Sequence, residues 1–279
     1  MRIPADDPRS PDQIRQHYEV ECELAAVLRG APKEKRLRLY SELYNQLFLR
    51  VPTHPQLTRR SSPETARQHS ALQLKFLGRF LHPTDTYLEI GAGDCNLAFE
   101  VAGHVRKAIA LDVSAEIMNH TDAPANCELL LSDGCSIPVP AASIDMAYSN
   151  QLMEHLHPED ALEQLRNICR ALVTGGRYVC VTPNRLNGPH DVSKYFVREA
   201  CGFHMKEYTT TELVELFRAV GFRSARPYAR LLGGYVAIPA WIPRLAEGFL
   251  AALPPAIRRA LAKRPPLRQV LGIQLVGIR

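Results

Sequence analysis

The sequence predicts an α/β fold: a doubly wound, mostly parallel seven-stranded sheet with helices on both faces. Two observations carry this. From Thr86 onward, short apolar runs alternate with helical segments. The runs also have the length of buried strands and are bounded by turn residues, as in successive βαβ units. With 279 residues, 46% of them hydrophobic and 23% charged, the chain can bury a full core near the upper size for one domain.

Residues 1–70 are read as an N-terminal helical extension. Within it, Lys33 to Arg50 spaces Leu37, Tyr40, Tyr44, Leu47 and Phe48 as an amphipathic helix does, and Pro52 and Pro55 end it. A second helix is expected to start with Ser62 as N-cap and Pro63 in its first position, running through Leu72, Phe76 and Phe80. The main domain, 71–279, then sets out its strands and helices. TYLEI is followed by a helix from Cys95, KAIALD by a helix from Ser114 to His120, and CELLLS leads to IDMAYS. A helix over Pro158 to Leu172, the strand RYVCVTP and a long polar loop from Asn184 to Tyr208 come next. A helix from Thr211 to Val220, a strand over Arg223 to Leu232, a helical insertion at 239–265 and the terminal strand VLGIQLVGI complete the chain.

The totals narrow the function. Seven cysteines lie scattered with no C-x-x-C pair, so they read as reduced, packed thiols of a cytoplasmic protein. The polar, proline-rich start MRIPADDPRSPDQIRQ lacks the apolar stretch of a secretory signal or anchor, which makes export unexpected. A net charge of +5 is too small to argue for nucleic acid, and no nucleic-acid partner is expected.

Three acids stand at three successive strand ends. Glu89-Ile90-Gly91-Ala92-Gly93-Asp94-Cys95-Asn96 turns from the first strand into a helix, and Gly91 and Gly93 permit a tight turn and close main-chain approach to a ligand. A dinucleotide site would want glycine at 96, where Asn96 stands, so a nicotinamide oxidoreductase is the weaker alternative. Asp112 ends the second strand about 20 residues later, where a carboxylate accepts both hydroxyls of a ribose; a helix N-cap is its bland alternative. Asp133, before Gly134, ends the third and suits the exocyclic amine of adenine, or simply a D-G turn. All three lie on the carboxyl edge, where open α/β sheets bind ligands.

These segments resemble class I S-adenosylmethionine-dependent methyltransferases, of the small-molecule branch. YLEIGAGDCNLA resembles their first motif, ALDVS their ribose-binding strand end, and SDGCSIPVPAASIDMAYSNQLMEHL their adenine-binding and fourth-strand segments. LRNICRALVTGGRYVCVTPN resembles their next helix and fifth strand, and YTTTELVELFRAVGF the helix and turn beyond, so the likeness spans Thr86 to Phe222. It implies a Rossmann-like fold with S-adenosylmethionine as cofactor. Glu89, Gly91 and Gly93 would surround its methionine part, Asp112 the ribose, Asp133 and Gly134 the adenine, and Asn150 the methionine amino group. Cys95 departs from the pattern, since many members carry a third glycine there.

Methyl transfer asks the protein to align a nucleophile and, for a hydroxyl, to take its proton. His190 with Asp191 after the fifth strand and His155 after the fourth are the candidate catalytic residues, with His204, Glu207 and Tyr208 as further pocket candidates. A solvated turn is the alternative for the first pair, and a capping or packed histidine for His155. No metal site is expected, because His155 and His157 would lie on different faces of a helix. The expected acceptor is a small molecule or glycan-type compound, methylated on oxygen; a cofactor-binding pseudoenzyme or assembly partner is the non-enzymatic alternative. An RNA methyltransferase lacks support, since Ser149-Asn150-Gln151-Leu152 holds no N-P-P-Y-like tetrapeptide. Finally, 239–265 mixes apolar residues with Arg244, Arg258, Arg259, Lys263 and Arg264. It reads as a cover on the sheet edge, a lid on the acceptor site or a peripheral contact with an anionic membrane.

Overall fold

The computed structural model describes residues 7–59, 63–114, 118, 122–231 and 233–279. Among the described residues, four helices precede the sheet: α1 (Pro11–Gly30), α2 (Lys33–Arg50), α3 (Pro55–Arg59) and α4 (Pro63–Leu77). Helix α2 has the bounds its periodicity predicts. The expected Ser62 cap lies outside the described residues, as does most of the expected Ser114 to His120 helix. Helix α1 is absent from the sequence-based expectation, although Ser10 and Gln13 form a reciprocal capping box with Pro11 at the first helical position.

Strands β1 (Thr86–Ile90), β2 (Lys107–Asp112), β3 (Cys127–Leu131), β4 (Ile144–Asn150) and β5 (Leu172–Thr182) pair in parallel in the order β3-β2-β1-β4-β5. Helix α5 (Asn96–Ala102) crosses from β1 toward β2, and α6 (Pro158–Ala171) returns from β4 to β5. After α7 (Thr210–Ala219) come β6 (Ser224–Leu231), β7 (Gly234–Ala237), α8 (Trp241–Ala251), α9 (Pro255–Ala262), α10 (Leu267–Leu271) and β8 (Ile273–Ile278). The terminal β8 inserts antiparallel between β5 and β6. The sheet has eight strands rather than the seven expected. The eighth is β7, which folds back on β6 through a turn at Gly233 with φ 78°. Glycine takes that left-handed conformation without strain.

Alternation along the strands builds two apolar layers. Leu88, Ile90, Ile109, Leu111, Tyr178 and Cys180 face one side, where α1, α2, α6 and α7 pack. Tyr87, Ala108, Met146, Tyr148 and Val179 face the other, against α4 and α5. The first layer is continuous from Val20 in α1 to Leu275 in β8, so the N-terminal helices share one core with the sheet. All seven cysteines are free thiols. Among the described residues, no helix is long and apolar enough to cross a membrane.

Candidate active site

The carboxyl ends of β1, β2 and β4 open into a cavity of about 400 Å³. Its floor is the turn after β1. Gly91 and Ala92 donate their N–H groups to the Leu111 carbonyl, and Gly91, Gly93 and Cys95 have φ of 72°, 56° and 56°. Cys95 therefore adopts the left-handed conformation that a glycine would hold more cheaply, and the turn keeps its path without the third glycine. Its thiol is buried, 3.5 Å from Met118 Sδ.

Asp112 secures this turn. One carboxylate oxygen accepts from Gly93 N at 2.9 Å, and the other from Val113 N and Ser114 N at 2.7 and 3.1 Å. Glu89 lies beneath, 6% exposed, and its Oε2 has no hydrogen-bond partner. Burial, reinforced by Asp94 and Asp112, pushes its carboxyl well above the ordinary range. An unpartnered buried carboxylate costs several kcal/mol, roughly, unless a cation or donor meets it. Such a site matches a ligand carrying an ammonium and a sulfonium. A Cβ on Gly93 would meet nothing within 4 Å, whereas one on Gly91 would press on Leu152 at 3.1 Å. The cradle thus holds open space above Gly93 and close packing beside it. The residues fit the methionine end of S-adenosylmethionine, with Asp112 beside them for the ribose.

Of the residues expected to bind cofactor, Glu89, Gly91, Gly93, Asp112, Gly134 and Asn150 line the cavity. Asp133 does not. Its carboxylate accepts from Cys135 N, Ser136 N and Ser136 Oγ, all within 2.8 Å, and these bonds outweigh burial to hold it below its ordinary value. The D-G turn is therefore what its side chain serves here, while Gly134, at φ 93°, faces the cavity.

The catalytic candidates separate. His155 lines the cavity; burial and the neighbouring His204 push its imidazole down to about 3, so the ring is neutral. His190 and Asp191 are absent from the lining. His190 Nε2 sits 2.7 Å from Asn187 Oδ1 and 3.1 Å from the Asn184 carbonyl. Asp191 accepts from Ser193 N and Gly202 N, both at 3.0 Å. This pair fastens the loop after β5 and does not reach the cavity, because both groups are committed to that loop's own backbone and side chains. His204 and Glu207 are buried behind His155, joined at 2.7 Å, and also stand outside the lining, as does Tyr208.

Sequence reasoning missed the wall supplied by the N-terminal helices. Tyr40, Tyr44 and Phe48 of α2 and Ser70 and Gln73 of α4 line the cavity. The signal available was the aromatic spacing at 40, 44 and 48, one helical face with more rings than a cover needs. By contrast, no described residue of 239–265 lines the cavity. Glu247 of α8 instead accepts from Asn184 Nδ2 and from Thr210 N and Thr211 N at the start of α7.

A parallel sheet that ends in a glycine turn, a ribose-type acid and an unpartnered buried carboxylate defines a class I methyltransferase architecture. Comparison with known proteins agrees. Residues 88–176 match the family described as "Methyltransferase domain". Over 136 residues the chain is 29% identical to a protein of Mycolicibacterium smegmatis named a probable S-adenosylmethionine-dependent methyltransferase. That match covers 48% of this chain and 51% of the relative, so the chain spans about half the length of the curated relatives it matches. Among solved structures, phosphoethanolamine N-methyltransferase 1 of Haemonchus contortus superposes with a TM-score of 0.56 at 14% identity, covering 87% of this chain and 49% of that one. A methyltransferase of Thermotoga maritima gives 0.52 at 15% identity, covering 87% and 96%. At such identities the structures show the shared fold. Residues 88–176 thus match a methyltransferase domain, set in a Rossmann-like fold that the solved methyltransferases share.

Proposed function

We propose that this protein transfers a methyl group from S-adenosylmethionine to a hydroxyl of an uncharged small-molecule or glycan-type acceptor. The observation that carries the reading is Glu89 Oε2, a buried carboxylate oxygen without a partner beside the glycine turn. When bound, the cofactor supplies an electrophilic methyl on a sulfonium. Glu89 would meet its ammonium group, Asp112 its ribose, and the Gly134 backbone its adenine. Tyr40, Tyr44 and Phe48 supply apolar walls that exclude water around the transfer. His155 and His69 are the imidazole rings that line the cavity, and either would be placed to accept a proton from an acceptor hydroxyl. Lysine and arginine are absent from the described lining, which favours a neutral acceptor over a phosphorylated one.

Calorimetry with S-adenosylmethionine and a screen of metabolite pools for labelled-methyl incorporation test this together. Cofactor binding with label in an O-methyl product is the expected outcome. Binding without transfer to any pool would favour the pseudoenzyme, and transfer to nitrogen would correct the acceptor atom.

A further inference from the structure

At the back of the cavity three side chains converge, of which only His155 reaches the lining. Glu154 and His155 occupy a one-turn 3-10 helix, Met153–His155, directly after β4. His204 arrives from the loop before α7. That loop is fixed on the turn by two bonds: Lys206 N donates to the Glu154 carbonyl at 3.2 Å, and His155 Nδ1 lies 3.2 Å from the Phe203 carbonyl. One donor atom from each of Glu154, His155 and His204 lies within 4.8 Å of the others.

Each of the three is oriented from behind. His155 Nδ1 is held by the Phe203 carbonyl and His204 Nδ1 by Glu207 Oε1 at 2.7 Å, which leaves Nε2 of both rings as the open position. Thr182 Oγ1 donates to Glu154 Oε2 at 2.8 Å, while Glu154 Oε1 is fully buried with no hydrogen-bond partner. Histidines fixed through their second nitrogen by a carbonyl or carboxylate, beside a carboxylate with a free oxygen, are the arrangement of metal-ligating residues. Two imidazoles and one carboxylate suit a divalent ion of the first transition row and leave it open positions. In the two other groupings among the described residues a carboxylate is bonded outside the group: Glu21 accepts from Phe203 N, and Asp160 from Arg36 and Tyr40.

We propose that Glu154, His155 and His204 form a divalent transition-metal site, with Glu207 and Thr182 as positioning residues. His155 borders the cavity, so an ion there would present an open position to the acceptor. The role of the ion, though not the site, rests on the methyl-transfer reading. An acceptor hydroxyl at the open position would lose its proton to water more readily. Its oxygen would then form the new O–CH₃ bond as the S–CH₃ bond breaks and the sulfonium becomes a thioether. The acceptor class narrows accordingly to hydroxyls that bind a metal, above all vicinal diols.

The test uses the full chain, stripped with chelator and titrated with Co²⁺ as a spectroscopic probe, with S-adenosylmethionine affinity measured on the same samples. One equivalent of Co²⁺ per chain, with visible absorption of a low-symmetry nitrogen–oxygen site, is expected. Glu154→Gln and His204→Gln should each weaken Co²⁺ at least tenfold, and Glu207→Gln by about 10-fold to 100-fold as an outer-shell change. All three should keep cofactor affinity within about twofold, which also shows that they fold. Thr182→Val serves as a milder variant if any of these fails to fold, and should weaken Co²⁺ in the same direction. Absence of saturable uptake by the wild type, or uptake unchanged in every folded variant, overturns the site. Metal uptake without S-adenosylmethionine binding would instead sink the methyl-transfer reading and leave the site standing.

Discussion

Asp112 joins two tasks at one side chain. It holds the glycine turn through Gly93 N, and in the proposed function it would also accept the ribose hydroxyls. Replacing it with alanine should weaken S-adenosylmethionine by roughly 2 kcal/mol or more, about 30-fold, because two hydroxyls and three N–H groups lose a charged acceptor. Calorimetry on the folded variant checks this, and unchanged affinity would remove the assignment. His190 makes the opposite case. Its ring is engaged with Asn184 and Asn187, and its backbone N–H donates to Glu207 Oε1 at 2.7 Å. His190→Ala should therefore leave cofactor affinity within about twofold while lowering stability by about 1–2 kcal/mol, read from urea unfolding. Legible in the sequence was a shared place at the cavity for residues whose partners are near in the chain or fixed by strand register: Glu89, Gly91, Gly93, Asp112 and Asn150. Asp133 was misleading because the same dipeptide serves a turn and an adenine site. Glu154, His155 and His204 were not legible as a group, since their convergence depends on the path of the long connection between His155 and His204.

Helix α2 is fastened by a buried ion pair. Arg36 Nε and a terminal nitrogen donate to both oxygens of Asp160 at 2.7 Å, and Tyr40 Oη donates to the same carboxylate. Asp160 is fully buried and Arg36 is 3% exposed. Tyr40 is also the residue against which a Cβ at Gly134 would press, at 3.0 Å, so the pair fixes a wall of the cofactor cavity. Arg36→Met leaves Asp160 buried without its cation and should cost about 3–5 kcal/mol in denaturant unfolding. Burial alone would raise the Asp160 carboxyl, but Arg36 and Tyr40 outweigh it and hold it below its ordinary 3.8. A lowered carboxyl contributes stability that is present above that value and is lost as pH falls toward the folded value. Acid unfolding curves of wild type and Arg36→Met should thus converge below pH 3.8. Periodicity alone gave α2 its bounds. It gave nothing of the Arg36–Asp160 pairing, which joins residues 124 positions apart. Helix α1 was overlooked because proline and charge at its start read as an irregular terminus, although Ser10 and Gln13 cap it.

At the scale of the whole molecule, the helices before the sheet share its core and line the cavity. Val20, Leu24, Tyr40, Leu43 and Leu47 share one apolar layer with Leu88, Ile109 and Tyr178. A chain beginning at Thr53 should lose cooperative unfolding in calorimetry along with cofactor binding, since it strips one face of the sheet. The opposite end of the chain shows a different economy. Glu247, buried at 5%, ties the inner side of α8 to the start of α7, which turns Trp241, Leu245 and Phe249 outward, with Trp241 61% exposed. Trp241 is the chain's one tryptophan. Excited near 295 nm, the native protein should emit with the red-shifted maximum of hydrated indole, as an unfolded chain does. S-adenosylmethionine should leave that maximum in place, because the ring stands outside the cavity. Indole emission is therefore a nearly silent probe of both unfolding and cofactor uptake, and a spectrometer tuned to it would register only what comes to rest on the outer face of α8. A blue-shifted maximum in dilute native protein would mean that this face is already covered.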